Sequence, residues 1–212
     1  MKIYHFKQVS STNDAAKEIA LSHERDFVVV ADEQTKGKGR MGREWLSPIG
    51  GLYLSIITKK NHLLPLISGV AVACSLQKFG LSIRIKWPND VMVGDKKISG
   101  ILIECLDDFA VVGVGVNIDK TPLKTAASIK DETGKNISRD AVLKSILKNF
   151  EKFSGKNVLD EYRKLSSTIG RRVKINTVKG DTEGKAVDVD EQGRLILESG
   201  EIIVSGDVIH LR

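Results

Sequence analysis

The chain has 212 residues, of which 41% are hydrophobic, and a formal net charge of +6 at pH 7. This composition excludes a disordered chain and leaves room for one good-sized domain with an appendage, or for two small domains. No apolar run approaches the roughly 18 residues of a membrane span. The opening "MKIYHFKQVSSTND" lacks the apolar centre of a signal peptide, so a cytoplasmic protein without a membrane partner is expected.

The first segment, "KIYHFKQV", alternates as a half-buried strand does. In "SSTNDAAKEIALS", Ser11 and Asp14 have capping-box spacing and Ala15, Ala16, Ile19 and Ala20 make a helical stripe. "FVVVADEQ" is a β-branched buried strand, and "GGLYLSIIT" is another. "PLISGVAVACSLQKFG" is apolar on nearly every side, with Pro65 early and Gly80 at the end, and predicts a buried helix. The stretch from Ile83 to Asp119 predicts a meander of strands, broken at Pro88-Asn89-Asp90 and Gly94-Asp95. Helices are expected in "SRDAVLKSILKNFEKF" and "VLDEYRKLSS". Near Thr168 the helical period stops. Short alternating runs follow, with turns at Lys179-Gly180-Asp181, Glu191-Gln192-Gly193, Ser199-Gly200-Glu201 and Ser205-Gly206-Asp207. These predict a small barrel of about five strands that leans on the larger unit. The expected division is 1–167 and 168–212. Cys74 and Cys105 lie among apolar neighbours and are expected as small buried hydrophobes. No C-x-x-C or Cys/His cluster is present, so a structural zinc is not expected.

Between the second and third strands lies Gly37-Lys38-Gly39-Arg40-Met41-Gly42-Arg43, a G-x-G-x-x-G by spacing. A dinucleotide loop needs a helix opening at its third glycine. Here "REWLSPIGG" follows, with Pro48, Gly50 and Gly51 in the way. The Gly-Lys-Ser/Thr ending of a Walker A loop and the tripeptides of a protein kinase are also missing. What remains is a strand-to-strand loop. Its glycines let backbone N–H groups approach an anion closely, and its arginines offer forked donors to phosphate or carboxylate. It is expected to be mobile when empty and to fold over a bound intermediate, excluding water.

The order "SSTND", "EQTKGKGRMGREW", "KWPNDVMV", "KKISGILIE", "VVGVGVNI" resembles the biotin protein ligase family over residues 9 to 118. The resemblance implies a mixed sheet flanked by helices (α+β), related to class II aminoacyl-tRNA synthetases, with a C-terminal SH3-like β-barrel. It implies activation of biotin by ATP with Mg²⁺ to biotinyl-5′-AMP, then transfer to a lysine of a biotin carboxyl carrier protein. The S-S-T-N element begins at residue 10, which leaves no room for an N-terminal helix-turn-helix. The class resembled is therefore the monofunctional one, with no sequence-specific DNA partner expected. A homodimer through sheet edges suits the family.

Biotin combines a polar ureido head, an apolar bicycle and an acid tail. Its pocket must satisfy a buried urea while staying apolar around the rings. Ser11, Thr12 and Gln34 carry suitable groups, and by the resemblance they meet the ureido head. Gly37, Lys38, Gly39, Arg40, Lys97, Gly100 and Gly115 complete the implied biotin site. Gly100 and Gly115 interrupt apolar strands, a mark of close approach by a ligand or by backbone. The adenylate side falls to Arg40, Arg43, Trp45, Asn89, Lys97 and Asn117. Arg40 and Lys97 supply the fixed positive charge that brings carboxylate and triphosphate together. Asp90, the third implied catalytic residue, orients either Lys97 or a Mg²⁺-bound water. The metal ligands stay unassigned. Lys38 stands where many members carry Arg, which keeps the charge but loses the planar fork. Two other readings are a lipoate–protein ligase and a nucleic-acid-binding protein. Against the second, only 5% of the residues are aromatic, few for base stacking.

Overall fold

A computed structural model describes residues 1–22, 26–119, 121, 123–178 and 180–211. Lys179, in one of the expected turns, lies outside the described residues. The larger sheet has seven strands: β1 (Lys2–Val9), β2 (Phe27–Gln34), β3 (Leu52–Thr58), β4 (Ile83–Lys86), β5 (Asp90–Val93), β6 (Lys96–Cys105) and β7 (Ala110–Val116). Their spatial order is β1-β2-β3-β7-β6-β5-β4. β1 and β2 run parallel, joined through helix α1 (Thr12–Ala20), and every other pairing is antiparallel, so the sheet is mixed.

Strand alternation divides the side chains between two layers. Val28 and Val30, Leu52, Leu54 and Ile56, and Val112, Val114 and Val116 point into the main core. There they meet α2 (Leu64–Gln77), which is apolar all round because α4 (Arg139–Ser154) and α5 (Leu159–Leu165) pack on its outer side. A short helix α3 (Ile129–Thr133) precedes α4. Phe27, Val29, Ile57 and Val111 point the other way, onto Ala16 and Ala20 of α1. Farther along that second face the side chains shrink to Ser55, Gly113 and Gly115, beside Gly100. With no bulky side chains of its own there, the sheet lets Trp45 and Asn13 pack close against it, and Gly100, Gly113 and Gly115 line a cavity.

Ser11 is the N-cap of α1, but its side chain makes no capping hydrogen bond, so the expected capping box does not form. Ser11 lines the cavity instead. Cys105 is exposed and Cys74 half-buried, which corrects the expectation that both are buried. Cys105 ends β6 beside the turn into β7, where the apolar surroundings read from the sequence do not cover it.

The C-terminal part is a five-stranded antiparallel sheet in the order β11-β10-β9-β8-β12, built from β8 (Arg172–Thr177), β9 (Gly180–Val189), β10 (Leu195–Leu197), β11 (Ile202–Ile203) and β12 (Asp207–His210). The expected barrel does not close. β11 and β12 stay at opposite edges, and β11 has two residues, too few to carry the ladder that closure requires. The sheet shares the main core, with Val173, Ile175, Ala186 and Leu195 in the same buried cluster as α2 and α5. Trp87, 2% exposed, ties the parts together, its Nε1 donating to Gly193 O at 3.0 Å and its backbone N to Thr168 Oγ1 at 3.0 Å. Among the described residues no helix is long and apolar enough to cross a membrane.

Candidate functional site

The cavity over the glycine platform measures about 630 Å³, within the range of small-molecule sites. Its lining includes Ser11, Thr12, Gln34, Lys38, Gly39, Arg40, Arg43, Trp45, Asn89, Asp90, Lys97, Gly100, Gly115 and Asn117. Of the residues expected at the site, only Gly37 is outside the lining. A Cβ on Gly37 would come within 2.3 Å of Trp45 O and 2.5 Å of Ser47 Oγ, so this glycine allows the loop to pack on itself.

The glycine loop is a narrow hairpin. Lys38 and Glu44 form an antiparallel bridge, Gly39 N donates to Arg43 O at 2.7 Å, and Trp45 N donates to Gly37 O at 2.9 Å. A 3₁₀ turn over Arg40–Gly42 makes its tip, with Met41 at φ 54° and Gly42 at φ 72°. The hairpin points Arg40 inward. Its guanidinium donates to Asn89 Oδ1 at 2.9 Å and to Gly206 O at 3.2 Å. Burial works against the charged form of Arg40, and Asp207 and Asp90 work for it. An arginine keeps its charge in such surroundings. Arg43 reaches Asp207 at 2.8 Å, so the C-terminal sheet closes one wall of the site. Asn89 donates through Nδ2 to Ile101 O at 2.7 Å, which turns its amide oxygen toward Arg40. Lys38 has its ammonium on Asp14 at 2.7 Å, at the cavity rim.

Lys97 and Asp90 meet at 2.6 Å. This contact depends on a β-bulge. Asp90 pairs with Gly100 and Met92 with Lys97, with the register shifting between Val91 and Met92. Residues three apart on a regular strand face opposite ways. The extra residue, Ile98, returns Lys97 to the face that carries Gly100. Lys96 pairs with Val93, is exposed, and is not part of the cavity lining.

Trp45 lies on the platform. A Cβ on Gly115 would come within 2.3 Å of its Nε1, and one on Gly100 within 3.0 Å of its ring. The Lys97 ammonium stands over the indole at 5.3 Å from the centroid, a cation–π contact. Trp45 Nε1 is buried with no hydrogen-bond partner among the described residues. Asn117 donates to Ala127 O at 3.0 Å.

At the opposite end, Thr12 N and Thr12 Oγ1 lie 2.8 and 3.0 Å from Gln34 Oε1. Behind them stand Ser47, Ser55, Asn13 and Gly113, none of which the sequence reading singled out. Asn13 follows Ser11-Thr12 directly, and Gly113 is the neighbour of Gly115 in "GVGV". The alternation of that strand is the signal that places both glycines on one face.

One end of the cavity thus offers uncharged acceptors, the floor is apolar, and the other end carries Arg40, Arg43 and Lys97. Such a site suits a ligand with a polar uncharged head and an acid tail beside a polyphosphate.

The profile of the Biotin/lipoate A/B protein ligase family matches residues 5–119, and that of the biotin protein ligase C-terminal domain matches residues 168–211. A biotin protein ligase from Aquifex aeolicus, solved in complex with biotin and ATP, is 34% identical. It superposes with a TM-score of 0.85 over 100% of this chain and 99% of that one. The bifunctional ligase/repressor BirA of Bacillus subtilis is 34% identical across 94% of this chain and 70% of its own length. The biotin–[acetyl-CoA-carboxylase] ligase of Mycobacterium tuberculosis is 32% identical across 97% of this chain and 87% of its own. With one matched family profile over the sheet that carries the cavity, and relatives this similar over nearly the whole chain, the chain belongs to the Biotin/lipoate A/B protein ligase family.

Proposed function

We propose that the chain is an ATP-dependent biotin protein ligase. The observation that carries this reading is the single cavity that joins an acceptor-lined head end, at Thr12 and Gln34, to a basic end, at Arg40, Arg43 and Lys97. Biotin's ureido head belongs at the first end, with Ser11 beside it. Its bicycle lies along Gly100 and Gly115, and its carboxylate lies toward Lys97 and Arg40. ATP enters on the side of Asn89, Asn117 and Arg43, with Trp45 against it.

In the first step a carboxylate oxygen of biotin attacks the α-phosphorus. The bond from that phosphorus to the bridging oxygen breaks, and pyrophosphate leaves with the electron pair. Lys97 and Arg40 stabilise the charge gathering on the α-phosphate oxygens, because they are fixed before the reaction starts. Asp90, in contact with the Lys97 ammonium, orients it. In the second step the amine of a lysine on a biotin carboxyl carrier protein attacks the carbonyl of the mixed anhydride, and AMP leaves. Mg²⁺ belongs to this reading as the companion of the triphosphate, held mainly by phosphates and water with one or two carboxylates. The carboxylates lining the cavity are Glu44, Asp90, Asp119 and Asp207, of which Asp90 is already paired with Lys97 and Asp207 with Arg43. The reading assigns catalysis to residues 1–167, with residues 168–212 closing the wall beside the glycine loop.

Mass spectrometry of the protein incubated with biotin and MgATP tests this. Retained biotinyl-AMP is expected, and lipoate in place of biotin should leave no comparable adenylate. Adenylate formed from lipoate and not from biotin would replace this reading with that of a lipoate ligase.

A further inference from the structure

Behind the head end of the cavity, one hydrogen-bond chain runs from Gln34 through Thr12, Ser55 and Asn13 to Glu104, which the cavity does not reach. Its proton directions can be worked out from the end that admits no choice. Glu104 accepts from Asn13 Nδ2 at 2.6 Å and from Lys17 Nζ at 2.5 Å. A carboxylate only accepts, so the Asn13 amide is held with Nδ2 toward Glu104 and Oδ1 toward Ser55. Asn13 Oδ1 carries no proton, so its 2.6 Å contact with Ser55 Oγ uses the one proton Ser55 has. The single proton of Thr12 then has two acceptors within reach, Ser55 Oγ at 2.8 Å and Gln34 Oε1 at 3.0 Å, and the shorter contact is the one to Ser55.

Gln34 is fixed from its other side. Ser47 Oγ donates to Trp45 O at 2.9 Å, so it accepts from Gln34 Nε2 at 2.7 Å, and Gln34 Oε1 takes the N–H of Thr12 at 2.8 Å. With the Thr12 proton on Ser55, Thr12 Oγ1 and Gln34 Oε1 face each other at 3.0 Å as two acceptors. Both belong to residues lining the cavity. Two acceptors side by side are relieved by a single N–H that donates to both. Gly113 makes the arrangement possible, since a Cβ there would come within 2.4 Å of Asn13 Oδ1.

We propose that Glu104, acting through Asn13 and Ser55, is a positioning residue that turns Thr12 Oγ1 into an acceptor and so selects a ligand whose head carries N–H donors, such as a cyclic urea. A dithiolane head has no N–H and would leave the two acceptors facing each other with no donor between them, which is costly. The proposal rests on the ligase reading and adds the source of its discrimination between biotin and lipoate.

A merely structural role, tying α1 to β6, would change stability without changing which ligand is preferred. The test therefore measures calorimetric affinity for biotin and for biotin methylated at either ureido nitrogen, with wild type, Glu104→Ala and Glu104→Gln. Glu104→Ala frees the Asn13 amide to flip, and should weaken biotin by about tenfold. It should also shrink the preference for biotin over the analogue methylated at the nitrogen facing Thr12. Glu104→Gln keeps an amide oxygen for Asn13 and should stay within about twofold of wild type. If wild type binds biotin and Glu104→Ala leaves both preferences unchanged, the relay is overturned and the ligase reading stands. If wild type fails to bind biotin, both fall.

Discussion

Replacing Lys97 by alanine removes a cation from the centre of the proposed first step. The ammonium is held by Asp90 at 2.6 Å on a bulged strand, not on the glycine hairpin, so it is in place before substrates arrive. As the carboxylate attacks, about half a unit of charge is taken to gather on an oxygen about 3 Å away. With an effective dielectric constant of about 20, that interaction amounts to about 3 kcal/mol. The Lys97 side chain is 32% exposed, which forbids a much lower dielectric. The loss corresponds to about 150-fold in rate, within the range found on removing one preorganised donor. Lys96 is the matched control, being exposed on the opposite face of β6. Single-turnover formation of biotinyl-AMP, measured by quenched flow, should fall by about two orders of magnitude in Lys97→Ala and remain near wild type in Lys96→Ala. Equal losses in the two variants would refute both the assignment and the strand register behind it. So would a Lys97→Ala rate within threefold or so of wild type.

Gly115→Ala places a methyl group 2.3 Å from Trp45 Nε1. A rigid indole cannot yield that distance cheaply, so a destabilisation of about 1–3 kcal/mol is expected in denaturant titration, together with weakened biotin binding; an unchanged variant would mean that the indole is not seated there. Arg40→Gly loses the bonds to Asn89 and Gly206 that hold the hairpin closed. It should still form some adenylate but release it, labelling bystander lysines, and retention as tight as wild type in a gel-filtration assay would refute the clamp. For His210, burial, with Lys86 and Arg171 nearby, lowers the imidazole from 6.5 to about 4. The unfolded chain takes up this proton below about pH 6.5, while the fold resists until about pH 4. The stability contribution is therefore complete above that window and is lost as pH falls through it. His210→Gln should flatten the fall in Tm between these two pH values, and an identical profile would show that other groups cause it.

Some of this protein is written locally in the chain. β1 and β2 run over Lys2–Val9 and Phe27–Gln34, the runs that period-two alternation and β-branching marked out. α2 begins next to Pro65 and ends before Gly80, as helix punctuation requires. The lack of a helix after Gly42 excluded a dinucleotide loop, and the spacing from "KWPND" to Lys97 and "ISGIL" pointed to the family. These signals depend only on neighbours within a turn or a few pleats, so one sequence suffices to read them.

Tertiary structure decided the rest, because register and partner choice are not local. Counting by twos from Gly100 puts Lys97 on the wrong face, and only the bulge opposite Val91 and Met92 returns it to the cavity. Arg43 meets Asp207 from 164 positions away, and Asn13 meets Glu104 from 91. A barrel was the natural reading of five short runs, yet closure depends on whether the two edge strands find each other, and β11 and β12 do not. Cys105 looked buried among apolar neighbours, but exposure is set by what packs over a strand end, and nothing in the adjoining sequence specifies that. The sequence therefore marked out the candidate residues for the proposed chemistry and roughly where the strands and helices lie. The fold decided which of those residues share a face and which wall closes over them, since each of these is a contact between segments far apart in the chain.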